Sequence, residues 1–391
     1  MTRLRQYNDR RYFIDCGKLI ALGWTQKVSW EDGLKETIEW YTKNDDMSGY
    51  WGNLSGALVA HPTGGIPAVM GQAQYTLKDM MAADETDAQA ISGNGENNPV
   101  FLVYGRTGWI GGKLGKLLTE QGHKWSYGRA RLEDRKALID DITRSKCTHM
   151  CAAGVTGRPN VDWCEDHKTD TIRANVIGIL NVCDVALLND VHVTNFATGC
   201  IYKYDNEHVI GGLPFTEEDD PNFGGSFYSE TKSYMEMMLR HYPNVMQCRV
   251  RMPIDGDLQN PRNFITKIAN YAKVVNIPNS MTVLEEFVPM AIEGALRGLT
   301  GAYNWTNPWA ISHNEVLELY RDYCHPGFKW ENFTEEEQAE VIKAPRSNNT
   351  MCDAKIKNAF PQVLGIKESI IKHVMEPNKV AGNKAPIKRG M

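Results

Sequence analysis

The chain has 391 residues, of which 42% are hydrophobic and 9% aromatic, so it can bury at least one full core and has room for two or three domains. This composition excludes a disordered protein. The formal net charge is -5, and no long basic run precedes the short tail 383–391, which excludes an electrostatic surface for nucleic acid or an anionic membrane. Small-molecule chemistry is the class of function that remains.

Nine cysteines are scattered without the paired spacing of a disulfide framework or a zinc site, so we expect free thiols, a reducing compartment and no bound metal. The N-terminal residues are charged and lack the apolar segment of a signal peptide. No stretch reaches the roughly 18 consecutive apolar residues of a membrane span. We therefore expect a cytoplasmic protein that contacts neither nucleic acid nor membrane.

Residues 1–61 contain helical patterns but are too short for a nucleotide-binding fold of their own. In "SWEDGLKETIEWY", Ser29 is the predicted N-cap of a helix. Residues 62–98 are poor in aromatics and rich in Gly, Ala, Asp and Asn, which predicts a flexible linker. We place the main domain at 99–379 and a disordered tail at 380–391.

From Val100 onward, short apolar runs alternate with amphipathic stretches. In order they are "VFLVY", a helix over about 110–121, "KWSY", a helix near 133–144, "THMCAA", a helix near 169–188, and "HVTNFA". This alternation predicts an α/β protein with a Rossmann-like, doubly wound parallel sheet covered by helices on both faces. Beyond residue 255 the order loosens into helices with short strands, which predicts a smaller substrate-binding part over 255–379.

Three glycines in "VFLVYGRTGWIGGKLGKLL" follow the first strand and open a helix. Gly105 permits a tight turn, Gly108 lets the backbone approach a pyrophosphate, and Gly111 allows close packing of helix on strand. The sequence therefore predicts a dinucleotide site. Its expected contacts are the turn residues and the end of the third strand: Gly105, Thr107, Gly108, Trp109, Ile110, Gly111, Ala152, Ala153 and Gly154.

The second strand indicates which dinucleotide is bound. NAD-selective sites carry an acidic residue near this position to hold the ribose 2′-hydroxyl. Here "SYGRARLED" places Arg129 and Arg131 before any acid, and arginine pairs well with a 2′-phosphate. NADPH is the predicted cofactor. Glu133 and Asp134 follow later and leave NADH as a weaker alternative, and two arginines on a solvated turn remain the alternative interpretation.

Tyr228 and Lys232 lie four residues apart on a predicted helix, so they share one face. Such a pair alone is common, but it follows the glycine motif and Thr198 of "ATG" in the order typical of the extended short-chain dehydrogenase/reductase family, which the chain resembles. The resemblance implies that Thr198, Tyr228 and Lys232 transfer the proton, and that Tyr228 and Lys232 also contact the cofactor. Lys232 would supply the cation that a phenol with a pKa near 10 needs.

A narrower resemblance covers about 100–379. "AAGVTGRPNVDWCE", "FATGCIY", "EEDDPNFGGSFYSETK" and "APRSNN" are similar to the plant-type nucleotide-rhamnose synthases, bifunctional 3,5-epimerase/4-reductases. The resemblance implies conversion of UDP-4-keto-6-deoxy-D-glucose to UDP-L-rhamnose with NADPH. Inverting C3 and C5 requires a base and an acid on opposite faces, roles that the family gives to the positions of Cys200 and Lys267. Without the family resemblance, Cys200 would be interpreted as a small buried thiol and Lys267 as an exposed helix lysine.

Polar and cationic positions within these matched stretches are expected to approach the sugar or the diphosphate, because arginine suits phosphate geometry. They are Thr156, Arg158, Asn160, Asn263 and Arg346. The expected partner is thus a nucleotide-sugar, and a homodimer is expected because relatives often pair through helices.

The stretch "YNDRRYFIDCGKLIALGWTQKVSWEDGLKETIEWY" resembles the C-terminal end of a UDP-glucose 4,6-dehydratase, without that enzyme's glycine motif or Tyr-x-x-x-Lys. We expect no dehydratase activity and interpret 1–61 as a remnant. Three alternatives stay open: a 4-ketoreductase resembling dTDP-4-dehydrorhamnose reductase, an enzyme resembling GDP-fucose synthase, and a non-catalytic cofactor-binding subunit. Cys200 and Lys267 argue against the first, and the intact Thr198, Tyr228 and Lys232 set argues against the last.

Overall fold

The structure is a computed structural model that describes residues 15–43, 98–153 and 161–387. The chain divides into two units, 1–90 and 91–391. Residues 62–97 of the predicted linker lie outside the described residues. So do four predicted site residues, Gly154, Thr156, Arg158 and Asn160.

The described part of the first unit consists of two helices, α1 (Gly17–Ala21) and α2 (Trp30–Lys43). The Ser29 hydroxyl oxygen accepts a hydrogen bond from the Asp32 amide at 3.1 Å, which confirms the predicted N-cap. The helix carries exposed apolar side chains at Trp30 and Ile38.

Within its described residues, the second unit is built on ten strands. They are β1 (Val100–Tyr104), β2 (Lys124–Tyr127), β3 (His149–Ala152), β4 (His192–Thr198), β5 (Val245–Val250), β6 (Pro253–Ile254), β7 (Lys273–Val274), β8 (Thr282–Val283), β9 (Gly301–Tyr303) and β10 (Glu331–Asn332). Six of them form one parallel sheet in the order β2-β1-β3-β4-β5-β9. The winding reverses at β1, which confirms the predicted doubly wound sheet.

Helices alternate with these strands and bury the sheet on both sides. They are α3 (Trp109–Glu120), α4 (Arg135–Ser145), α5 (Trp163–Asp166), α6 (Lys168–Leu188), α7 (Phe227–Leu239), α8 (Phe264–Asn270), α9 (Leu284–Leu296), α10 (His313–Tyr323), α11 (Glu335–Val341), α12 (Ala354–Ala359), α13 (Ile366–Ile370) and α14 (Glu376–Ala381). Along β1, Phe101 packs with α3 and α9, whereas Leu102 packs with α4, α6 and α7. Successive side chains of a strand point to opposite faces, so both faces are covered.

Helix α6 is a core helix of this unit. Among the described residues it is the one helix long and apolar enough to cross a membrane, judged by length and composition alone. Its residues Ile179, Val182 and Val185 are fully buried in the core that also contains β3 and β4. Packing on the sheet therefore explains why this helix is apolar.

The C-terminal part has a core of its own, formed by α8, α10 and α13 around Ile268, Val316 and Ile370. This part is continuous with the main sheet, because β9 pairs with β5 and extends it.

The predicted tail also differs from the structure. Ala385 is buried and its amide donates to the Tyr320 hydroxyl at 3.1 Å, while the Asn270 amide donates to the Pro386 carbonyl at 2.9 Å. Side chains of the domain thus satisfy the backbone of this segment. The prediction of a disordered tail is therefore wrong over 380–387, and 388–391 lie outside the described residues.

Candidate functional site

The predicted glycine turn lies between β1 and α3. Gly105 has a φ of +102°, which glycine adopts readily, and its carbonyl accepts the Gly108 amide at 2.7 Å. A Cβ added to Gly111 would lie 2.3 Å from that same carbonyl oxygen, so the helix can approach the turn only with glycine there. Thr107 is exposed in the turn, and Ile110 packs on the core. The turn leaves the N-terminal amides of α3 facing a region suited to an anion.

The turn lies where the winding of the sheet reverses, between β1 and β3, the usual ligand crevice of such sheets. Ala152 ends β3, and the Ala153 amide donates to the Tyr104 carbonyl at 3.1 Å. At the end of β2, Arg129 and Arg131 are exposed, and neither forms an ion pair with a residue that the structure describes. Both guanidinium groups are therefore free to meet an anionic ligand.

The structure brings Thr198, Tyr228 and Lys232 together. Thr198 ends β4, and Tyr228 lies in the first turn of α7, whose N-cap is Ser226. The Thr198 side chain lies within hydrogen-bonding reach of the Tyr228 hydroxyl, and Lys232 Nζ lies 5.9 Å from the centre of the Tyr228 ring. A proton donor, a hydrogen-bonding hydroxyl and a cation thus share one region.

Burial decides the protonation of this group. It raises the pKa of Tyr228 well above its usual range, so the phenol is protonated at neutral pH and able to donate. Burial also lowers the pKa of Lys232 to about 7. Lys232 is 1% exposed, and its Nζ finds no hydrogen-bond partner among the described residues. Such an unpartnered amine is costly to bury, which is typical of functional sites.

We expect Lys232→Met to stabilise the cofactor-free protein at low pH. The lysine pKa is near 10.5 when the chain is unfolded and about 7 when it is folded, so the unfolded state binds the extra proton between these values. Wild-type stability therefore rises with pH across this window. The variant should be more stable by on the order of 5 kcal/mol below pH 7, and the advantage should vanish above pH 10.5. Denaturant unfolding at several pH values measures it, and an advantage independent of pH would contradict the assignment.

Cys200 follows Thr198 in a tight loop, and its amide donates to the Thr198 hydroxyl oxygen at 3.1 Å. It is partly exposed, whereas six of the nine free thiols are buried. Beneath the loop lies Arg251, fully buried, whose guanidinium donates to the Gly199 carbonyl at 3.1 Å. Its other hydrogen-bond partners in the described chain, Ser347 and Asn279, are neutral. A positive charge without a carboxylate therefore supports the loop of Cys200.

Lys267 lies on α8 and is half-buried. Burial, and then the charges of Arg262 and Arg346, lower its pKa below the usual value. An amine with a lowered pKa exchanges its proton more readily near neutral pH, which suits an acid or base.

The structure gives Asn263 a different role from the predicted contact with substrate. Its side chain is fully buried, accepts the Ile265 amide as the N-cap of α8, and donates to the Asp255 carbonyl at 2.7 Å. Because both ends of the amide are used within the protein, Asn263 positions the helix that carries Lys267.

Arg346, another predicted substrate contact, forms an ion pair with Asp162 at 3.0 Å and donates to the Ala344 carbonyl at 2.7 Å. It lies near Lys267, whose pKa it helps to lower. The Asp162 carboxylate thus partly neutralises the charge of Arg346, which leaves less of it for a substrate phosphate.

Sequence reasoning missed several residues that hold the site. The Asp255 carboxylate accepts the Trp109 indole N–H at 2.8 Å and pairs with Lys113 at 2.8 Å, and its other oxygen accepts from Asn263. Arg251 was also missed. The segment "RVRMPI", which places Arg249 in an apolar strand and Arg251 directly after its end, is the pattern that could have revealed it.

The residues present fit a bound dinucleotide. The glycine turn leaves a cradle that a side chain at Gly111 would fill, and the unpartnered Lys232 amine is buried beside Tyr228. In contrast, no group of His, Cys, Asp or Glu within the described ranges could hold a metal ion.

The fold and this site define a Rossmann-fold protein of the extended short-chain dehydrogenase/reductase type. Residues 101–254 match the profile of the NAD dependent epimerase/dehydratase family. The chain is 56% identical over 307 residues to a bifunctional dTDP-4-dehydrorhamnose 3,5-epimerase/dTDP-4-dehydrorhamnose reductase of Arabidopsis thaliana, covering 78% of this chain and 100% of that protein. The chain belongs to the NAD dependent epimerase/dehydratase family.

Two further relatives extend the comparison. A trifunctional UDP-glucose 4,6-dehydratase/UDP-4-keto-6-deoxy-D-glucose 3,5-epimerase/UDP-4-keto-L-rhamnose reductase of Arabidopsis thaliana is 53% identical over 388 residues, 96% of this chain but 58% of that protein. The chain thus spans little more than half of this longer relative. The crystal structure of a UDP-rhamnose synthase from Acanthamoeba polyphaga mimivirus superposes with a TM-score of 0.68 at 34% identity, covering 70% of this chain and 97% of that one.

Proposed function

We propose that this chain is a 3,5-epimerase and 4-reductase that converts UDP-4-keto-6-deoxy-D-glucose to UDP-L-rhamnose with NADPH. The observation that carries the proposal is that one strand end supplies both chemistries: Thr198 lies within hydrogen-bonding reach of Tyr228, and Cys200 is partly exposed two residues later. The printed activities of the Arabidopsis relatives, an epimerase joined to a reductase, support it.

The glycine turn and the α3 N-terminus would hold the pyrophosphate of NADPH, and Arg129 and Arg131 its 2′-phosphate. When bound, NADPH supplies the hydride for C4. The side chains of the protein handle the proton. Thr198 donates a hydrogen bond to the C4 ketone oxygen, and Tyr228, protonated at neutral pH, gives its proton to that oxygen. Lys232 stabilises the phenolate left behind.

Epimerisation uses other groups. The C4 ketone stabilises the enolate that forms when the proton on C3 or C5 is removed. Cys200 takes that proton on its sulfur as the C–H bond breaks, and Lys267 delivers a proton to the opposite face of the same carbon. The buried charge of Arg251 beneath the Cys200 loop favours an anion in this region.

All nine cysteines are free thiols, which suits a reducing compartment, and we place the activity in the cytoplasm. Both substrates, a sugar nucleotide and NADPH, are soluble small molecules. Fractionation of source cells, with the activity followed in each fraction, tests this placement.

The test is to incubate the chain with UDP-4-keto-6-deoxy-D-glucose and NADPH in deuterated water and to identify the product by NMR. We expect UDP-L-rhamnose with deuterium at C3 and C5. A product reduced at C4, with unchanged configuration and no deuterium at C3 or C5, would leave a 4-ketoreductase only. The same assay with the dTDP sugar compares the two nucleotides.

A further inference from the structure

A buried carboxylate lies beneath the loop that carries Arg129 and Arg131. Asp141, on α4, is 1% exposed. One of its oxygens accepts three hydrogen bonds, from the Arg129 amide at 2.7 Å, the Ala130 amide at 2.8 Å and the Tyr104 hydroxyl at 3.0 Å. The other oxygen accepts from the Arg144 guanidinium. Both carboxylate oxygens of Asp141 therefore accept hydrogen bonds from groups of the protein itself.

The loop is fixed on both sides of this contact. The Gly128 amide donates to the Val103 carbonyl at 3.0 Å, and the Asp134 amide donates to the Arg131 carbonyl at 2.9 Å. Gly128 also lies directly on Tyr104, because a Cβ added there would be 2.1 Å from the tyrosine ring. The backbone is thus held at its start, middle and end, while the two arginine side chains remain exposed.

The charge of Asp141 suits this role. Burial alone would raise its pKa, but the hydrogen bonds it accepts, that of the Ala130 amide foremost, hold the pKa below the usual value. The carboxylate is therefore ionised at neutral pH and can accept from all four donors. Arg144 balances its charge, so the positive charges on the loop are not neutralised from below.

We propose that Asp141 is the positioning residue for recognition of the 2′-phosphate: it fixes the loop after β2 so that Arg129 and Arg131 meet that group without reordering. A mobile loop would lose conformational entropy on binding, and a loop already held in place does not. The inference rests on the proposed function in one respect, the contact between these arginines and NADPH. What it adds is the role of Asp141. This residue does not touch the cofactor, but it favours NADPH by fixing the backbone of the loop that carries the two arginines.

The test compares Asp141→Asn with Asp140→Asn, a matched change at an exposed neighbour on the same helix. Asparagine has one acceptor oxygen, so either the loop amides or Arg144 must lose a partner. Dissociation constants for NADPH and NADH are measured by cofactor fluorescence, without turnover. We expect Asp141→Asn to lower the preference for NADPH by about three- to tenfold, with NADH binding unchanged and Asp140→Asn like wild type.

Arg129→Ala and Arg131→Ala separate this inference from the cofactor assignment. Loss of a charged phosphate contact should weaken NADPH binding about tenfold and leave NADH binding unchanged. In the Arg129→Ala background, Asp141→Asn should have a smaller further effect than it has alone. If both arginine variants keep the NADPH preference, the cofactor contact and the inference fall together.

Suppose that the arginine variants lose the preference for NADPH, whereas Asp141→Asn weakens the binding of NADPH and NADH equally or changes neither. The role of Asp141 is then overturned, and the cofactor assignment stands. Should Asp141→Asn fail to fold, Gly128→Ala replaces it. That change pushes the same loop away from Tyr104 and leaves the carboxylate intact. The same selective loss is expected, and equal loss for both cofactors again overturns the inference.

Discussion

Replacing Tyr228 by phenylalanine is expected to slow reduction at C4 by about 10²- to 10⁴-fold, the usual contribution of a positioned general acid. The variant keeps the ring but removes the hydroxyl that lies beside Thr198. Because Cys200 and Lys267 are untouched, exchange of solvent deuterium into C3 and C5 should continue. Loss of NADPH absorbance measures reduction, and NMR of the recovered keto sugar measures exchange.

Tyr234→Phe is the matched control for this variant. Tyr234 lies on the same helix, is 50% exposed, and its hydroxyl bonds only to the nearby Glu230 carboxylate at 3.2 Å among the described contacts. It should reduce substrate at the wild-type rate. Wild-type reduction by Tyr228→Phe would remove Tyr228 from the reaction.

The second large effect is expected for Cys200→Ala. Without the thiol no base remains for the protons on C3 and C5, so exchange should fall by about 10²- to 10⁴-fold. Cofactor binding should be unchanged. Reduction of a substrate that already has the inverted configuration, UDP-4-keto-L-rhamnose, should persist because Thr198, Tyr228 and Lys232 remain. This split between the two steps distinguishes a catalytic thiol from a thiol that only supports the fold.

Cys352→Ala provides the comparison, since Cys352 is the other partly exposed thiol of the second unit. It should exchange and reduce like wild type. Equal exchange rates in Cys200→Ala and wild type would exclude Cys200 as the base and favour a reductase that relies on a separate epimerase.

The sheet could be predicted from the sequence because its strands are short, apolar and separated by amphipathic helices. The predicted segments "VFLVY" and "KWSY" coincide with β1 and β2 residue for residue. The turn at Gly105 was predictable for a similar reason, since its geometry depends on glycines close together in the chain. The local sequence pattern was sufficient to predict these elements because the contacts that determine them are between residues close together in the chain.

The remaining features depend on burial and on hydrogen-bond partners that the residue types alone do not reveal. Asn263 is polar and therefore suggests a contact with ligand. Only its burial against Asp255 shows that it caps a helix. Ala385 is ordered by Tyr320, 65 residues away in sequence. Asp141 looks like any acidic residue on a helix surface until its contact with Tyr104 is known. The partners of Ala385 and Asp141 lie 65 and 37 residues away, so no short window of sequence contains both members of either pair.

Asp255 has a consequence for genetics. One buried carboxylate holds Trp109 and Lys113 at the start of the cofactor helix and also the cap of the helix that carries Lys267. Under the proposed function, a substitution of Asp255 would disturb dinucleotide binding and proton delivery by Lys267 together. Excess cofactor would restore dinucleotide binding but not proton delivery. A single second-site substitution that repairs one of these functions should therefore not suppress a mutation of Asp255.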